Sequence, residues 1–321
     1  MEGITGYIFR NAVHDIFGDS FTRYYSPFIS PRPRVGLQAK EIRDILPENN
    51  KGICLIPQLL SANASELLSL AAKLHGEFGY GEFNINCGCP SKTVVSHGRG
   101  AGLLKDPDAL DRFLDEVFSR SDLKFSVKTR MGILDPQEAE ELLKIYEKYP
   151  LTELIVHARV LNDYYKLPAR KEAFFRLVRS CRLPVVYNGD IFSVRDYLDI
   201  TESSDMLSGI MLGRGAVTDP ALGRAIMEAD GNDPAEDGVT SQAGEGSPSG
   251  NASPQEYRRF HDQIFSSYGE IFDGPTPLLF HMKELWGYMG ARYPGKEKVL
   301  KRLRKAKDIA SYLSAVNEIF G

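Results

Sequence analysis

A cysteine-bearing loop follows a predicted buried strand in the first third of the chain. The loop begins with Asn86-Cys87-Gly88-Cys89-Pro90, and the strand before it covers residues 82–87. Glycine lets a backbone approach a flat ligand closely, and proline fixes the direction in which the chain leaves the strand. We therefore predict that Cys89 presents its thiol to a ligand. The alternative is a small cysteine packed in the core beside a turn.

Polar residues also stand at the ends of five further predicted strands. They are Gln58, the pair Lys128 and Arg130, the pair His157 and Arg159, Asn188-Gly189-Asp190, and Gly213-Arg214-Gly215. Singly, such residues are typical of ion pairs, core histidines and turns. Together, at consecutive strand ends, they indicate a planar, anionic cofactor beside the thiol. The last motif suits a phosphate, because its glycines expose N–H groups and its arginine supplies a planar cationic fork.

The elements that must position these residues alternate between β-rich runs and helical patterns up to about residue 230. This alternation is typical of parallel βαβ units. The predicted strands are Tyr24–Ile29, Ile53–Leu60, Phe83–Cys87, Phe125–Thr129, Leu154–His157, Val185–Asn188 and Ile210–Leu212. The predicted helices between them are Ala64–Phe78, Asp108–Ser119, Pro136–Lys148, Lys171–Cys181 and Val194–Ile200.

Seven strands suit an α/β fold of the (β/α)8 TIM-barrel type whose first strand is short or missing, followed by a small all-helical domain. An open, doubly wound sheet is the alternative architecture. It is disfavoured because no G-x-G-x-x-G motif follows an early strand, and because polar residues end many different strands.

Three regions are expected along the chain. A catalytic barrel would cover residues 1–229, a flexible linker 230–254, and a helical domain 255–321. The linker is rich in glycine, serine, proline and acidic residues, so it cannot bury enough apolar surface to offset the entropy of ordering. Beyond it, residues 255–268, 277–289 and 296–319 carry apolar side chains at helical spacing.

Composition and charge narrow the function classes. The chain has 321 residues and a net charge of −4, and it has neither a signal-peptide pattern nor an apolar run of the roughly 20 residues that span a bilayer. We therefore expect a cytoplasmic protein. The four cysteines lack the spacing of a disulfide framework, and Cys87-x-Cys89 has no second ligand pair for a metal. No metal is expected.

The basic residues are concentrated near the carboxyl terminus. Residues 255–321 carry 11 Lys/Arg against 8 Asp/Glu, a local charge of +3. Seven of the basic residues fall within residues 296–307. This basic stretch is either a solvated helix face or a surface that binds nucleic-acid phosphates.

In combination, these motifs resemble the tRNA-dihydrouridine synthase family, which consists of FMN-dependent TIM-barrel enzymes with a C-terminal helical domain. The matching segments are Met1–Thr5, the strand of Gln58, Asn86-x-x-Cys89-Pro90 with the glycine-rich loop to Pro107, Lys128-Thr129-Arg130, His157-Ala158-Arg159, Asn188-Gly189-Asp190 and Gly213-Arg214. The likeness covers nearly the whole barrel. One departure is that the apolar strand ending in Ala-Pro, which precedes the residue matching Met1 in the family, is not found here.

The resemblance implies reduction of the C5=C6 bond of specific uridines in tRNA, with NADPH as the electron donor and Cys89 as the general acid. It implies FMN contacts from Met1, Glu2, Gly3, Gln58, Lys128, His157, Asn188, Gly189, Asp190, Gly213 and Arg214. It implies substrate contacts from Asn86 at the uracil edge and from Arg159, Tyr165 and Lys166 near the RNA. The basic stretch adds Lys301, Arg302, Arg304 and Lys305 as a clamp for tRNA.

Two other interpretations stay open at the level of sequence. The first is an FMN-dependent barrel that reduces a free pyrimidine-like molecule, which the basic helical tail argues against. The second is a non-catalytic tRNA-binding relative. A monomer is expected, while the position of the modified uridine and the preference for NADPH over NADH are not encoded in any short motif.

Overall fold

The computed structural model describes residues 1–32, 36–231 and 252–321. These residues form two compact units. The sheet unit comprises Arg23–Asp190 and Leu198–Leu212, and the helical unit comprises Met1–Thr22, Ile191–Tyr197 and Gly213–Gly321. Most of the predicted linker at 230–254 lies outside the described residues. Within the described ranges, no helix is both long enough and apolar enough to cross a membrane.

The strands of the sheet unit are all parallel. They are β1 (Tyr24–Tyr25), β2 (Leu55–Ile56), β3 (Gln58–Leu59), β4 (Glu82–Cys87), β5 (Lys124–Arg130), β6 (Leu154–His157), β7 (Val185–Asn188) and β8 (Leu207–Met211). β1 pairs with β2, and β3 to β8 form one sheet in sequential order. A doubly wound sheet reverses its strand order at a switch point, whereas a TIM barrel does not. The barrel prediction is confirmed and the doubly wound alternative is wrong.

Several predicted strands differ in detail from the structure, among them the first, which covers Tyr24–Tyr25 instead of Tyr24–Ile29. The predicted strand over 53–60 is interrupted at Pro57, because proline has no N–H to donate to a neighbouring strand. β8 begins at Leu207, three residues before its predicted start. Residues 1–6 form turns, which agrees with a first strand that is short or missing, and the carbonyl of Met1 accepts from the amides of Ile4 and Thr5 at 3.2 and 3.1 Å.

The helices have the following bounds: α1 (Tyr7–Phe17), α2 (Ala39–Ile45), α3 (Ala64–Phe78), α4 (Lys92–Ser96), α5 (Pro107–Ser119), α6 (Glu138–Tyr146), α7 (Lys171–Val178), α8 (Val194–Thr201), α9 (Arg214–Thr218), α10 (Leu222–Gly231), α11 (Pro254–Ile271), α12 (Pro275–Met289), α13 (Glu297–Lys305) and α14 (Ile309–Phe320). α3 has its predicted bounds. The Asn63 side chain caps its first turn by accepting from the amide of Glu66 at 2.9 Å, and Gly79 ends it with φ of 76°.

The helical unit has its own apolar core, and this core includes the amino-terminal helix. α1 packs against α11, where the rings of Phe9 and Phe260 meet edge to face with centroids 5.6 Å apart. The unit is therefore larger than the predicted domain at 255–321. The predicted stretch over 296–319 is two helices rather than one. The break falls at Asp308, whose side chain caps α14 by accepting from the amide of Ser311 at 2.8 Å.

Candidate functional site

The carboxyl ends of neighbouring strands bring the predicted polar residues of the sheet unit side by side. Asn86 on β4 lies in register with Lys128 on β5, and His157 on β6 lies in register with Asn188 on β7. Arg130, at the end of β5, is in register with His157. In a barrel of parallel strands this edge is where active sites are assembled.

The turn that carries Cys89 is held by the side chain of Asn86. The Oδ1 atom of Asn86 accepts from the amides of Gly88 and Cys89 at 3.1 and 2.9 Å. Cys87 is fully buried, and burial raises the pKa of its thiol to about 12. Cys89 is only partly buried, so it is the thiol of this loop that a ligand can reach. The asparagine thus fixes the backbone that presents the sulfur.

A chain of buried amides runs from this turn into the sheet. Asn86 Nδ2 donates to Gln58 Oε1 at 2.7 Å, Gln58 Nε2 donates to Asn84 Oδ1 at 2.7 Å, and Asn84 Nδ2 donates to Ser126 Oγ at 2.8 Å. Each amide is oriented by both of its neighbours. Asn84 and Ser126 were not predicted as site residues. The alternation Asn84-Ile85-Asn86 was the available signal, since residues two apart on a strand share a face.

Lys128 is a cation in an environment that favours a neutral group. Its Nζ donates to Asn188 Oδ1 at 3.0 Å, and Asn188 Nδ2 donates in turn to the carbonyl of Met211 at 2.9 Å. Burial, with a smaller contribution from the Arg130 charge, lowers the pKa of Lys128 to about 8. Among the residues described, no carboxylate forms an ion pair with this lysine. A lysine that is desolvated but lacks an acidic partner suits an anionic ligand.

His157 is oriented by Arg159 and Asp190. Arg159 donates from Nη1 to His157 Nε2 at 3.0 Å, and its Nη2 pairs with the carboxylate of Asp190. Because guanidinium has no acceptor, Nε2 of His157 must be the acceptor, which leaves the proton on Nδ1. Asp190 has a positive φ of 42°, and it also accepts from the amide of Ala169 at 2.9 Å.

The buried state of Arg159 does not support its predicted place near the RNA. The residue is 2% exposed, and its Nε donates to the carbonyl of Leu167 at 2.6 Å. A side chain with its donors directed at protein atoms orients its neighbours instead of meeting a bulky substrate. Tyr165 and Lys166, from the same loop, are both exposed, and the Tyr165 ring lies 5.8 Å from the His157 ring. The contact of these two residues with RNA stays a prediction.

The helical unit holds five of the predicted cofactor residues, Met1, Glu2, Gly3, Gly213 and Arg214. Gly3 has a φ of 79°, and no atom lies within 4 Å of the position a Cβ would take there. Met1 contacts Thr5 through its terminal amine, and Glu2 lies in the same turn. Gly213 precedes α9, and the Arg214 guanidinium lies 5.5 Å from the centre of the half-exposed Phe192 ring.

The basic stretch lies on α13 with its charged side chains exposed. Val299, Leu300 and Leu303 are buried, so the polar face of this helix points outward. Lys301, Arg302, Arg304 and Lys305 are all exposed. Arg302 forms an ion pair with Glu318 of α14, while Arg304 donates to the carbonyl of Leu300 at 3.3 Å. Across the described ranges, no group of three or more His, Cys, Asp or Glu side chains is placed to hold a metal ion.

The chain matches the sequence model of one protein family and is similar to curated relatives of the same kind. The family model, described as "Dihydrouridine synthase (Dus)", matches residues 1–243. A tRNA-dihydrouridine(16) synthase of Pseudomonas putida is 33% identical over 241 residues, which is 73% of each chain.

Two further relatives are similar over a shorter stretch. A tRNA-dihydrouridine(16) synthase of Neisseria meningitidis serogroup B is 34% identical over 182 residues, 56% of this chain and 54% of that relative. A tRNA-dihydrouridine(20a/20b) synthase [NAD(P)+] of Schizosaccharomyces pombe is 34% identical over 158 residues, 49% of this chain and 48% of that relative. The chain therefore spans about half the length of these two relatives.

Proposed function

The chain belongs to the dihydrouridine synthase family, flavin-dependent oxidoreductases that reduce uridine in tRNA, and we propose that it carries out this reduction with Cys89 as the proton donor. The observation that carries the proposal is the turn in which Asn86 accepts from the amide of Cys89. This turn holds a reachable thiol at the strand edge where Lys128 and His157 also end.

FMN is the cofactor we propose for this edge. Gln58, Lys128 and His157 would surround the flavin ring, and the remaining contacts to the ribityl chain and phosphate would come from Met1, Glu2, Gly3, Asn188, Gly189, Asp190, Gly213 and Arg214. Lys128 supports this assignment, since its partly desolvated cation lacks an acidic partner among the described residues. When bound, the flavin supplies the hydride that the C6 atom of uracil receives.

The chain's own groups would act on the substrate and the proton. Cys89 gives its S–H proton to C5 of uracil and becomes a thiolate, which takes up a proton from solvent before the next turnover. Asn86 fixes the thiol through the backbone of the turn, in addition to its proposed contact at the uracil edge. The target uridine must be turned out of its loop to reach this edge, because stacked bases cannot enter such a site.

The substrate and the electron donor are proposed in more detail than the family alone requires. Tyr165 and Lys166 would meet the RNA near the site, and Lys301, Arg302, Arg304 and Lys305 would meet its phosphates. A nicotinamide donor is supported by the NAD(P)+ in the name of the Schizosaccharomyces pombe relative, and NADPH is the form we propose. We also propose that the protein acts as a cytoplasmic monomer, as expected from the sequence. Position 16, named for two of the relatives, is the first uridine to examine.

The test is replacement of the proposed proton donor. Cys89→Ala should retain bound flavin while the rate of dihydrouridine formation falls by about a hundredfold or more, the usual contribution of a positioned general acid. Flavin content is read from the absorption spectrum, and dihydrouridine is mapped position by position by mass spectrometry of tRNA from a complemented deletion strain. Cys181→Ala, at another partly buried thiol, is the matched control and should behave as the wild type.

The same experiment separates the alternatives. A flavin-free protein that still binds tRNA would indicate a non-catalytic relative. A flavin-containing protein that reduces free pyrimidines, but leaves tRNA unchanged, would indicate a small-molecule reductase. Wild-type turnover in Cys89→Ala would contradict the role of the thiol.

A further inference from the structure

Arg130 is a buried arginine whose Nε and Nη1 atoms donate to backbone carbonyls. It ends β5 and is 1% exposed, and within the described part of the chain no carboxylate forms an ion pair with it. A charge in such a place is costly unless its hydrogen-bonding capacity is used. Its partners therefore indicate what the residue does.

One side of the guanidinium holds the loop that carries Cys89. Nε of Arg130 donates to the carbonyl of Gly88 at 2.8 Å. Gly88 immediately precedes Cys89, and its backbone lies close on β5: a Cβ there would be 3.3 Å from the carbonyl oxygen of Lys128. The amide of Gly88 is held by Asn86 on the other side. Movement of this carbonyl would move the thiol.

The other side of the guanidinium holds the loop that carries Tyr165. Nη1 of Arg130 donates to the carbonyls of Val160 and Tyr164 at 3.0 and 3.3 Å. Tyr164 has φ of 47° and ψ of −109°, a backbone conformation that a tyrosine adopts only when its surroundings hold it there. The Arg130 Cζ atom also lies 5.4 Å from the centre of the Tyr165 ring, within the range of a cation–π contact.

We infer that Arg130 is a positioning residue that ties the Cys89 loop to the Tyr165 loop and so sets the thiol relative to the bound nucleotide. This inference deepens the proposed function and rests on it. The planar guanidinium of Arg130 bonds two loops at once, through the carbonyl of Gly88, 42 residues away in sequence, and the carbonyl of Tyr164, 34 residues away. Lysine cannot replace that geometry, because an ammonium group is a compact point charge without fixed donor directions.

The charge of Arg130 adds a second effect on the same sulfur. Arg130 and Lys128 both interact electrostatically with Cys89. When Cys89 gives up its proton, the resulting thiolate faces both cations. Replacement of Arg130 by methionine should therefore disturb the position of the sulfur and also disfavour its ionised form.

The test compares Arg130→Lys and Arg130→Met with Arg23→Met, which removes an arginine of the sheet unit that pairs with Glu82, at the end of β4 away from Cys87. Four quantities are measured: flavin content, the rate of flavin reduction by NADPH alone, the rate at which tRNA reoxidises the reduced flavin, and the alkylation rate of Cys89 by iodoacetamide across pH. Peptide mapping assigns the alkylation to Cys89 rather than to the other three thiols.

Both Arg130 variants should keep flavin content and flavin reduction within about twofold of wild type, while reoxidation by tRNA slows about tenfold or more, as expected for lost hydrogen bonds of a buried charged group. Alkylation of Cys89 should slow in Arg130→Met and shift to higher pH, with Arg130→Lys intermediate. The control should change none of these rates. The lysine variant keeps a cation in the site, so it tests the claim even where the methionine variant does not fold.

A rate of reoxidation by tRNA within about twofold of wild type in Arg130→Lys would overturn the inference. So would an equal decrease in the rates of flavin reduction by NADPH and of flavin reoxidation by tRNA. The alkylation measurement needs no turnover. It therefore separates the proposed role of Cys89 as proton donor from the inferred role of Arg130 in positioning Cys89. Activity that survives in Cys89→Ala, together with altered Cys89 alkylation in Arg130→Met, would remove the proposed role of the thiol and leave the positioning contact supported.

Discussion

At the scale of single residues, burial decides what the charged groups of the sheet unit can do. Arg130 and Arg159 are 1% and 2% exposed, and their Nε and Nη1 atoms donate to protein atoms. Lys128 is half-buried at the same strand edge and makes its hydrogen bond to an amide oxygen instead of a carboxylate. Two of these cations therefore shape the site, and the third is the one placed to respond to a ligand's charge.

The first prediction concerns the pH dependence of cofactor binding. Burial lowers the pKa of Lys128 to about 8, so the cation is present below that pH and is lost as the pH rises through it. If this charge helps to hold FMN, affinity for the apoprotein should fall above pH 8 by up to about tenfold per pH unit. Lys128→Arg should remove the decline, because arginine stays protonated. Flavin fluorescence titration at a series of pH values measures the dissociation constant.

Lys128→Met is the matched control for this measurement. It should bind FMN weakly at all pH values and show no decline near pH 8, because the titrating group is gone. A decline of unchanged slope in Lys128→Arg would assign the pH dependence to another group.

At the scale of secondary-structure elements, the sequence predicts the bounds of those helices and strands whose ends are marked by nearby residues. α3 has its predicted bounds because Asn63 and Gly79 mark its two ends within the chain itself. The strand over 154–157 was predicted correctly for a similar reason, as it is a short run of apolar residues that is buried throughout. The polar residues at the strand ends could be found because a barrel gathers those ends at one edge.

The features that the sequence did not predict depend on contacts between distant segments. The burial of Arg159 follows from its pairing with Asp190, 31 residues away in sequence. The contact of Arg130 with the Cys89 loop follows from a hydrogen bond to the carbonyl of Gly88, 42 residues away. No local pattern distinguishes these arginines from solvent-exposed ones. The membership of α1 in the helical core likewise depends on α11, more than 200 residues later in the chain.

The second prediction belongs to this scale and concerns the glycine in the first turn of α9. A Cβ on Gly215 would lie 1.9 Å from the carbonyl oxygen of Ile191, whereas no atom lies within 4 Å of the corresponding position at Gly76 of α3. Gly215→Ala should lower the free energy of unfolding by about 1–3 kcal/mol or more, because a backbone atom blocks the methyl group. Urea unfolding of the apoprotein measures this change.

Gly76→Ala is the matched control, since this glycine is also helical and lies exposed inside α3. Its unfolding midpoint should stay at or slightly above the wild-type value, because alanine favours a helix over glycine. Equal stability of the two variants would mean that α9 shifts easily relative to Ile191, and the close approach would then have no energetic weight.

At the scale of the whole molecule, charge is distributed unevenly between regions of the chain. The net charge is −4, yet residues 255–321 carry a local charge of +3 from 11 basic and 8 acidic residues. On α13 the apolar side chains are buried and the basic ones are exposed, so the helix is anchored by one face and presents the other. An overall negative protein that binds RNA needs such a local concentration, because phosphate contacts depend on nearby charge.

The final prediction tests whether this basic face of α13 binds tRNA. Replacement of Lys301, Arg302, Arg304 and Lys305 by glutamine should raise the Michaelis constant for tRNA about tenfold or more at moderate salt and flatten its salt dependence, because fewer counterions are released on binding. Flavin content and flavin reduction by NADPH should not change. Arg302 should contribute least, since Glu318 already neutralises it.

The control removes four exposed basic residues from the outer helices of the sheet unit and its loops, with the same change of net charge. These residues are Lys73, Arg120, Lys144 and Arg179. An equal rise of the Michaelis constant for tRNA in both quadruple variants would mean that tRNA binding depends on the total charge of the protein. The α13 surface would then have no specific role in binding.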